Sequence, residues 1–283
     1  MKKYLILLLV LSFGTIAAQN GKVIETLTVK SEVLKMDRNY AVYLPPSYES
    51  SDRSYPVLYL LHGATDNHTG WVQFGEVLRI TDQAISDGIA TEMIIVMPDA
   101  DTKVMGYFNV PDYAYEDFFF KELIPHIESK FRTRNQKRYR AIAGLSMGGG
   151  GSFMYALRHP EMFSSACPLS AYVGPLTLEQ TKSSMKRQFP NLTDAQADSY
   201  FQNYNALNLL AKGKEEDIKS VKWYIDCGDD DFLYEGNSLM HIEMRKKNIP
   251  HEYRVRQGGH TWTYWREALP EVLKFVSNTF HQN

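Results

Sequence analysis

The sequence predicts an α/β domain: a mostly parallel central sheet, helices on both faces, and antiparallel strands at the N-terminal side. Three observations carry this. Short, nearly continuous apolar runs recur along the chain, the form of strands buried on both faces. Segments of helical length lie between them. A glycine-rich stretch, "RAIAGLSMGGGGSFMYALRHP" at residues 140–160, joins one such run to one such helix through a sharp turn.

The first element is not part of that domain. "MKKYLILLLVLSFGTIAAQN" has Lys2 and Lys3, an apolar run from about Leu5 to Phe13, and small residues at Ala17 and Ala18. This is the three-part plan of a bacterial secretory signal peptide, read as residues 1–18. The run is too short to span a bilayer comfortably, and no Cys is present to take a lipid, so no stable membrane anchor is expected. Residues 19–283 are read as a single catalytic domain, exported to the periplasm or beyond.

From "KVIETLTV" to "RNYAVYLPPSY" apolar and polar residues alternate, as in antiparallel strands with one exposed face. Then the pattern changes to "YPVLYLLHG", "MIIVMPDA", "RYRAIAGLS", "FSSACPLS" and "VKWYIDCGDD", each a buried parallel strand in form. Helices are expected near 75–87, 114–130, 147–158 and 235–247; a last strand, "HEYRVRQ", precedes a helix from about Trp262 to Phe280. Residues 175–215 break the rhythm. They read as a helical insertion over the C-terminal edge of the sheet, a candidate lid or substrate wall, its second helix capped by Thr193 or Asp194.

Composition narrows the partners. At 44% hydrophobic and 23% charged residues, 283 residues can bury a large core, and a net charge of −2 gives no support for nucleic acid as a partner. The two cysteines, Cys167 and Cys227, each fall in a predicted strand. They read as small buried hydrophobes, although an oxidising compartment would let them pair, and neither shows metal-ligand spacing.

Gly144-Leu145-Ser146-Met147-Gly148 fits G-x-S-x-G between a strand and a helix. Such a turn strains the central residue and leaves its hydroxyl exposed above the sheet. The N–H of Met147 opens the helix, where donors are free and the dipole favours negative charge. No Lys follows to make a phosphate loop. A serine nucleophile needs a base and the base an orienting acid, in the chain order Ser, Asp or Glu, His. Among the histidines beyond Ser146, His260 alone lies on a loop after a predicted strand. For the acid, Asp229, Asp230 and Asp231 all emerge from the C-terminal end of a strand, and spacing does not choose among them. Asp226 is weaker, being inside that strand. A second oxyanion donor is expected from the loop after "VLYLLHG", at the N–H of Ala64.

These residues carry a resemblance. "LLHGATDNHTGW", "PDYAYEDFFFKELIPHIESKFRT", "RYRAIAGLSMGGGGSFMYALRHPEMFSSACPLSA", "CGDDDFLYEGN" and "GGHTWTYWREAL" follow one another as in the esterase D-like family, from about residue 25 to 278. That family contains feruloyl and acetyl xylan esterases of carbohydrate esterase family 1, S-formylglutathione hydrolases, short-chain acyl esterases and mycolyltransferases. The resemblance implies an α/β-hydrolase fold and acyl-ester chemistry with no metal or organic cofactor. It matches the nucleophile to Ser146, the histidine to His260, the acid to Asp231, and the oxyanion donors to Met147 and Ala64. One departure is visible: many relatives carry a bulkier residue where this chain has Gly148 to Gly151.

Export argues against a cytosolic thioester substrate, and implies feruloyl or acetyl esters on plant polysaccharides such as xylan. A generic short-chain acyl esterase and an acyltransferase using the same triad are the rival readings; a silent carbohydrate-binding relative conflicts with an intact Ser146, Asp231 and His260. Aromatic residues on expected C-terminal loops, Trp71, Tyr172 and Trp262 with Tyr107, Phe108, Tyr264 and Trp265, are the candidates to stack on a sugar or phenolic ring.

Overall fold

The computed structural model describes residues 20–100 and 106–281. The signal-peptide reading lies outside the described residues. Two antiparallel strands open the chain, β1 (Lys22–Ser31) and β2 (Met36–Leu44). They are followed by β3 (Val57–Leu61), the helices α1 (Gly70–Gln73) and α2 (Val77–Ser86), and β4 (Ile94–Pro98). A small ribbon, β5 (Asn109–Val110) with β6 (Tyr113–Ala114), leads into α3 (Tyr115–Phe118) and α4 (Ile124–Lys130). These two helices are joined by a wider π turn at Phe119–Leu123. The turn accommodates Pro125, which has no N–H to give the regular ladder.

Next come β7 (Arg140–Leu145), α5 (Met147–Arg158) and β8 (Ser165–Leu169). The insertion supplies α6 (Leu178–Gln188), α7 (Asp194–Tyr204), α8 (Ala206–Lys212) and α9 (Glu215–Lys219). The chain ends with β9 (Lys222–Gly228), α10 (Tyr234–Lys246), β10 (His251–Arg256) and α11 (Trp262–His281).

The eight-stranded sheet runs β1-β2-β4-β3-β7-β8-β9-β10. From β4 to β10 the strands are parallel; β2 joins β4 antiparallel. The continuous apolar runs are explained by burial on both faces. Val57, Tyr59 and Leu61 of β3 enter one core with residues of α5, α8 and α10, while Leu58 and Leu60 enter the other with α2 and α11. Cys167 and Cys227 are buried free thiols.

The insertion is two helices longer in count than its sequence reads. The expected single helix over 192–210 breaks at Asn205, which is extended (φ −81°, ψ 119°). Its side chain accepts from the N–H of Asn208 at 2.8 Å, capping α8, and donates to Pro175 O at 2.7 Å. A side chain that can satisfy a new helix start competes with continuing the old one. Thr193, not Asp194, caps α7 through a reciprocal pair with Gln196. Helices α6 and α7 share a small core of their own, Met185, Leu192 and Ala197, apart from the two main ones. Among the described residues no helix is long and apolar enough to cross a membrane.

Candidate active site

The chain leaves β3 for β4 on one side and returns in β7 on the other, so the order reverses between β3 and β7. Open α/β sheets bind ligands at such a point, beyond the C-terminal ends of the strands. Ser146 stands there, between β7 and α5. Its backbone (φ 55°, ψ −115°) lies where a Cβ is sterically costly. Three hydrogen bonds hold it: Ser146 N–H donates to Leu169 O at 2.9 Å, and Ser146 O accepts from Gly150 N–H at 3.0 Å and Tyr172 N–H at 2.9 Å. Gly148 makes the close approach feasible. A Cβ on it would lie 2.6 Å from His62 O and 2.7 Å from the carbonyl carbon of Leu61.

Met147 is the first residue of α5, so its N–H is one of the four that the helix leaves unused. The chain leaving β3 runs alongside: a Cβ on Gly63 would lie 2.6 Å from Leu145 Cδ1 and 3.5 Å from Ser146 Cβ. A turn closed from Asp66 N–H to Gly63 O at 3.4 Å, with Thr65 at φ 68°, carries Ala64 on its exposed side. His62 is buried beneath it. Its Nδ1–H donates to Gly63 O at 2.8 Å and its Nε2 accepts from Ala100 N–H at 3.0 Å. Burial pushes its pKa down to about 4, so it is a neutral clamp on this loop.

His260 follows β10 and a Gly-Gly turn. Its Nε2 is 2.9 Å from Ser146 Oγ, and its Nδ1 is 2.9 and 3.0 Å from the Asp231 carboxylate oxygens. Asp231 is buried, which by itself raises its pKa. Hydrogen bonds from His260, the Ser170 hydroxyl and Leu233 N–H outweigh that and hold it below the usual carboxylate range. The other acids turn elsewhere. Asp229 Oδ1 accepts from Gly258 N–H at 2.9 Å, and Asp230 is exposed. Asp226 is fully buried and meets Arg256 at 3.0 and 3.1 Å, Tyr224 Oη at 2.8 Å, and Tyr264 Oη.

Several expected stacking residues prove to be interior. Trp71 is wholly buried, its indole N–H donating to Leu61 O at 3.0 Å, so it supports the β3 loop and offers no face to a ligand. Trp262 packs edge-on over Trp71 with centroids 5.2 Å apart and is partly exposed. Tyr107, Tyr264 and Trp265 are likewise buried. Tyr172 stays at the rim, 38% exposed. Beside it lies a narrow apolar cavity between α5 and the insertion, lined by Phe108, Gly150, Tyr172, Met185, Tyr200 and Tyr204. It is narrow, with about 20 Å³ open to the centre of a water molecule.

Two neighbours escape the sequence reading. Ser170, just past β8, accepts from the Trp265 indole N–H at 3.0 Å, and its hydroxyl helps to hold the Asp231 pKa down. A serine ending a buried strand was its only signal. Phe232 lies against the His260 ring, centroids 4.5 Å apart, and is 72% exposed. Among the described residues no group of three His, Cys, Asp or Glu side chains is placed to hold a metal ion.

The chain has clear relatives. The family model described as "Putative esterase" matches residues 31–276. An endo-1,4-beta-xylanase/feruloyl esterase of Xylanibacter ruminicola is 37% identical over 147 residues, 50% of this chain and 20% of that protein, so the chain spans about a fifth of that relative's length. A solved ferulic acid esterase is 38% identical with a TM-score of 0.82, covering 92% of this chain and 99% of the other. The fluorophosphonate-binding serine hydrolase F of Staphylococcus aureus is 25% identical with a TM-score of 0.75, covering 92% and 99%. With a mostly parallel sheet, helices on both faces and this family match over most of its length, the chain belongs to the esterase family of the α/β-hydrolases.

Proposed function

We propose that the protein is an exported serine carboxylic-ester hydrolase acting on feruloyl or acetyl esters of plant polysaccharides. The observation that carries the chemistry is the hydrogen-bonded line from Ser146 Oγ through His260 to buried Asp231. In this reading His260 Nε2 takes the Ser146 proton as Oγ attacks the ester carbonyl. Asp231 fixes the tautomer with Nδ1–H toward itself and stabilises the imidazolium. The N–H groups of Met147 and Ala64 receive the oxyanion; one such donor is worth about 3 kcal/mol. The C–O bond then breaks, His260 gives its proton to the alcohol oxygen, and water repeats the sequence on the acyl-enzyme.

The His260 side chain is 17% exposed, which gives water a path to the base for the second half of the reaction. The feruloyl assignment is supported by similarity over nearly the whole chain to the ferulic acid esterase. The test is hydrolysis of methyl ferulate, acetylated xylan and p-nitrophenyl acetate by residues 19–283, with Ser146→Ala as control. Turnover of the first two that Ser146→Ala abolishes is expected. Activity on p-nitrophenyl acetate alone would remove the polysaccharide reading, and activity surviving in Ser146→Ala would remove the triad.

A further inference from the structure

We infer that Phe232 is a platform for the alcohol side of the substrate, stacking on the sugar ring that carries the ester; this rests on the roles proposed above for Ser146 and His260. The turn that follows β9 is pinned by the acid itself. Leu233 N–H donates to Asp231 Oδ1 at 2.8 Å, Tyr234 N–H to Asp231 O at 3.0 Å, and Asp231 N–H to Gly228 O at 3.2 Å. The backbone that orients the carboxylate therefore also fixes where the next side chain stands. That side chain is a phenyl ring, 72% exposed, lying on the imidazole at 50° with centroids 4.5 Å apart. The other ring on His260 is Trp265, buried and edge-on at 4.9 Å. His260 thus sits between an interior indole and an exterior phenyl, and Tyr234, 59% exposed, extends the outer surface.

A lone exposed apolar side chain needs no explanation. This one touches the group that delivers a proton to the departing oxygen. Whatever is attached to that oxygen leaves past His260, within reach of the ring lying on it. The acyl half bonds to Ser146 and remains on the other side of the breaking bond. A phenyl ring offers no hydrogen-bonding atom, and it matches the C–H face of a sugar. Its exposure leaves the surface open beyond it, so a polymer can extend past the ring, whereas a small alcohol would gain little from it.

The test uses ester pairs matched in the acyl group: a feruloylated arabino-oligosaccharide against methyl ferulate, and an acetylated xylo-oligosaccharide against ethyl acetate. For each pair the quantity read is the ratio of kcat/KM, oligosaccharide ester over simple ester. Covering one face of a phenyl ring changes binding by about tenfold. In Phe232→Ala the ratio should fall by about that factor, mainly through KM, and Phe232→Trp should restore it. An unchanged ratio overturns the inference, whether both esters slow together, as they would if the ring held the acyl group, or neither does. A shifted pH profile of kcat/KM in Phe232→Ala also overturns it, because the ring would then be acting on His260. If the enzyme ignores ferulate and cleaves acetyl esters, the feruloyl reading fails while the acetyl pair still decides the role of Phe232. If Ser146→Ala keeps full activity, the triad reading fails and the inference falls with it.

Discussion

The imidazole of His260 stands 2.9 Å from Ser146 Oγ across 114 residues of sequence. Each is placed by a strand ending at the same edge of the sheet, β10 for the histidine and β7 for the serine. The approach depends on glycine on both sides. Gly258 O comes so near Gly228 that a Cβ there would lie 2.0 Å from it.

The two buried aspartates of β9 and its loop should separate cleanly. Asp231→Asn keeps the shape and misdirects the imidazole tautomer, so kcat should drop by about 10⁴-fold with little change in stability. Asp226→Asn weakens a carboxylate shared by Arg256, Tyr224 and Tyr264. Because solvent reaches Arg256, the expected stability loss is about 2 kcal/mol. Urea unfolding and kcat measured on both variants check this, and large kcat losses with intact stability in both would reject the distinction.

Ser146 stores strain for its exposure. Replacing it with glycine removes the Cβ from a φ of 55°. Ser146→Gly should therefore be inactive yet more stable, by about 1 kcal/mol or roughly 2–4 °C in Tm. Differential scanning calorimetry measures it directly. An unchanged or lower Tm would mean that the backbone is not strained at this point.

Acid should weaken the fold through His62. With its folded pKa near 4 and an ordinary value of 6.5, the unfolded chain takes up the proton first as pH falls. Stability is therefore complete above pH 6.5 and declines toward pH 4, by about 1–3 kcal/mol. Unfolding midpoints at pH 7 and 4.5 should show the decline, and His62→Gln, less stable at pH 7, should show a shallower one. Equal slopes in the two proteins would exclude His62 as a source.

The glycine run after the serine has a steric reason. A Cβ on Gly150 would lie 2.0 Å from Tyr172 O, the backbone that also bonds Ser146 O. Gly150→Ala should cost about 1–3 kcal/mol and lower kcat by displacing Tyr172 from the serine turn. A fully stable, fully active variant would show that the 169–172 segment moves aside freely.

The serine turn was legible because its chemistry needs a local pattern: a strand, small residues, a helix. His260 was legible by position after a strand. The choice among Asp229, Asp230 and Asp231 was not legible from spacing, since adjacent residues share an address and differ only in where a turn points them. The family resemblance selected Asp231, the carboxylate that meets His260. Trp71 misled because residue type does not say which side of a loop a ring occupies. Phe232 was silent for the converse reason, since an exposed phenyl has the same letter as a buried one. The break at Asn205 was harder to see: its cap on α8 is local, but the bond that ties its side chain to Pro175 O lies thirty residues earlier.

The most direct measurement of the central claim is covalent labelling with a fluorophosphonate, in which a serine oxygen attacks phosphorus and fluoride leaves. Intact mass should rise by one adduct per chain, and peptide mapping should place it on Ser146. The adduct should be absent from Ser146→Ala and form at least about a hundredfold more slowly in His260→Ala. An adduct on another residue, or undiminished labelling of Ser146→Ala, would contradict the account.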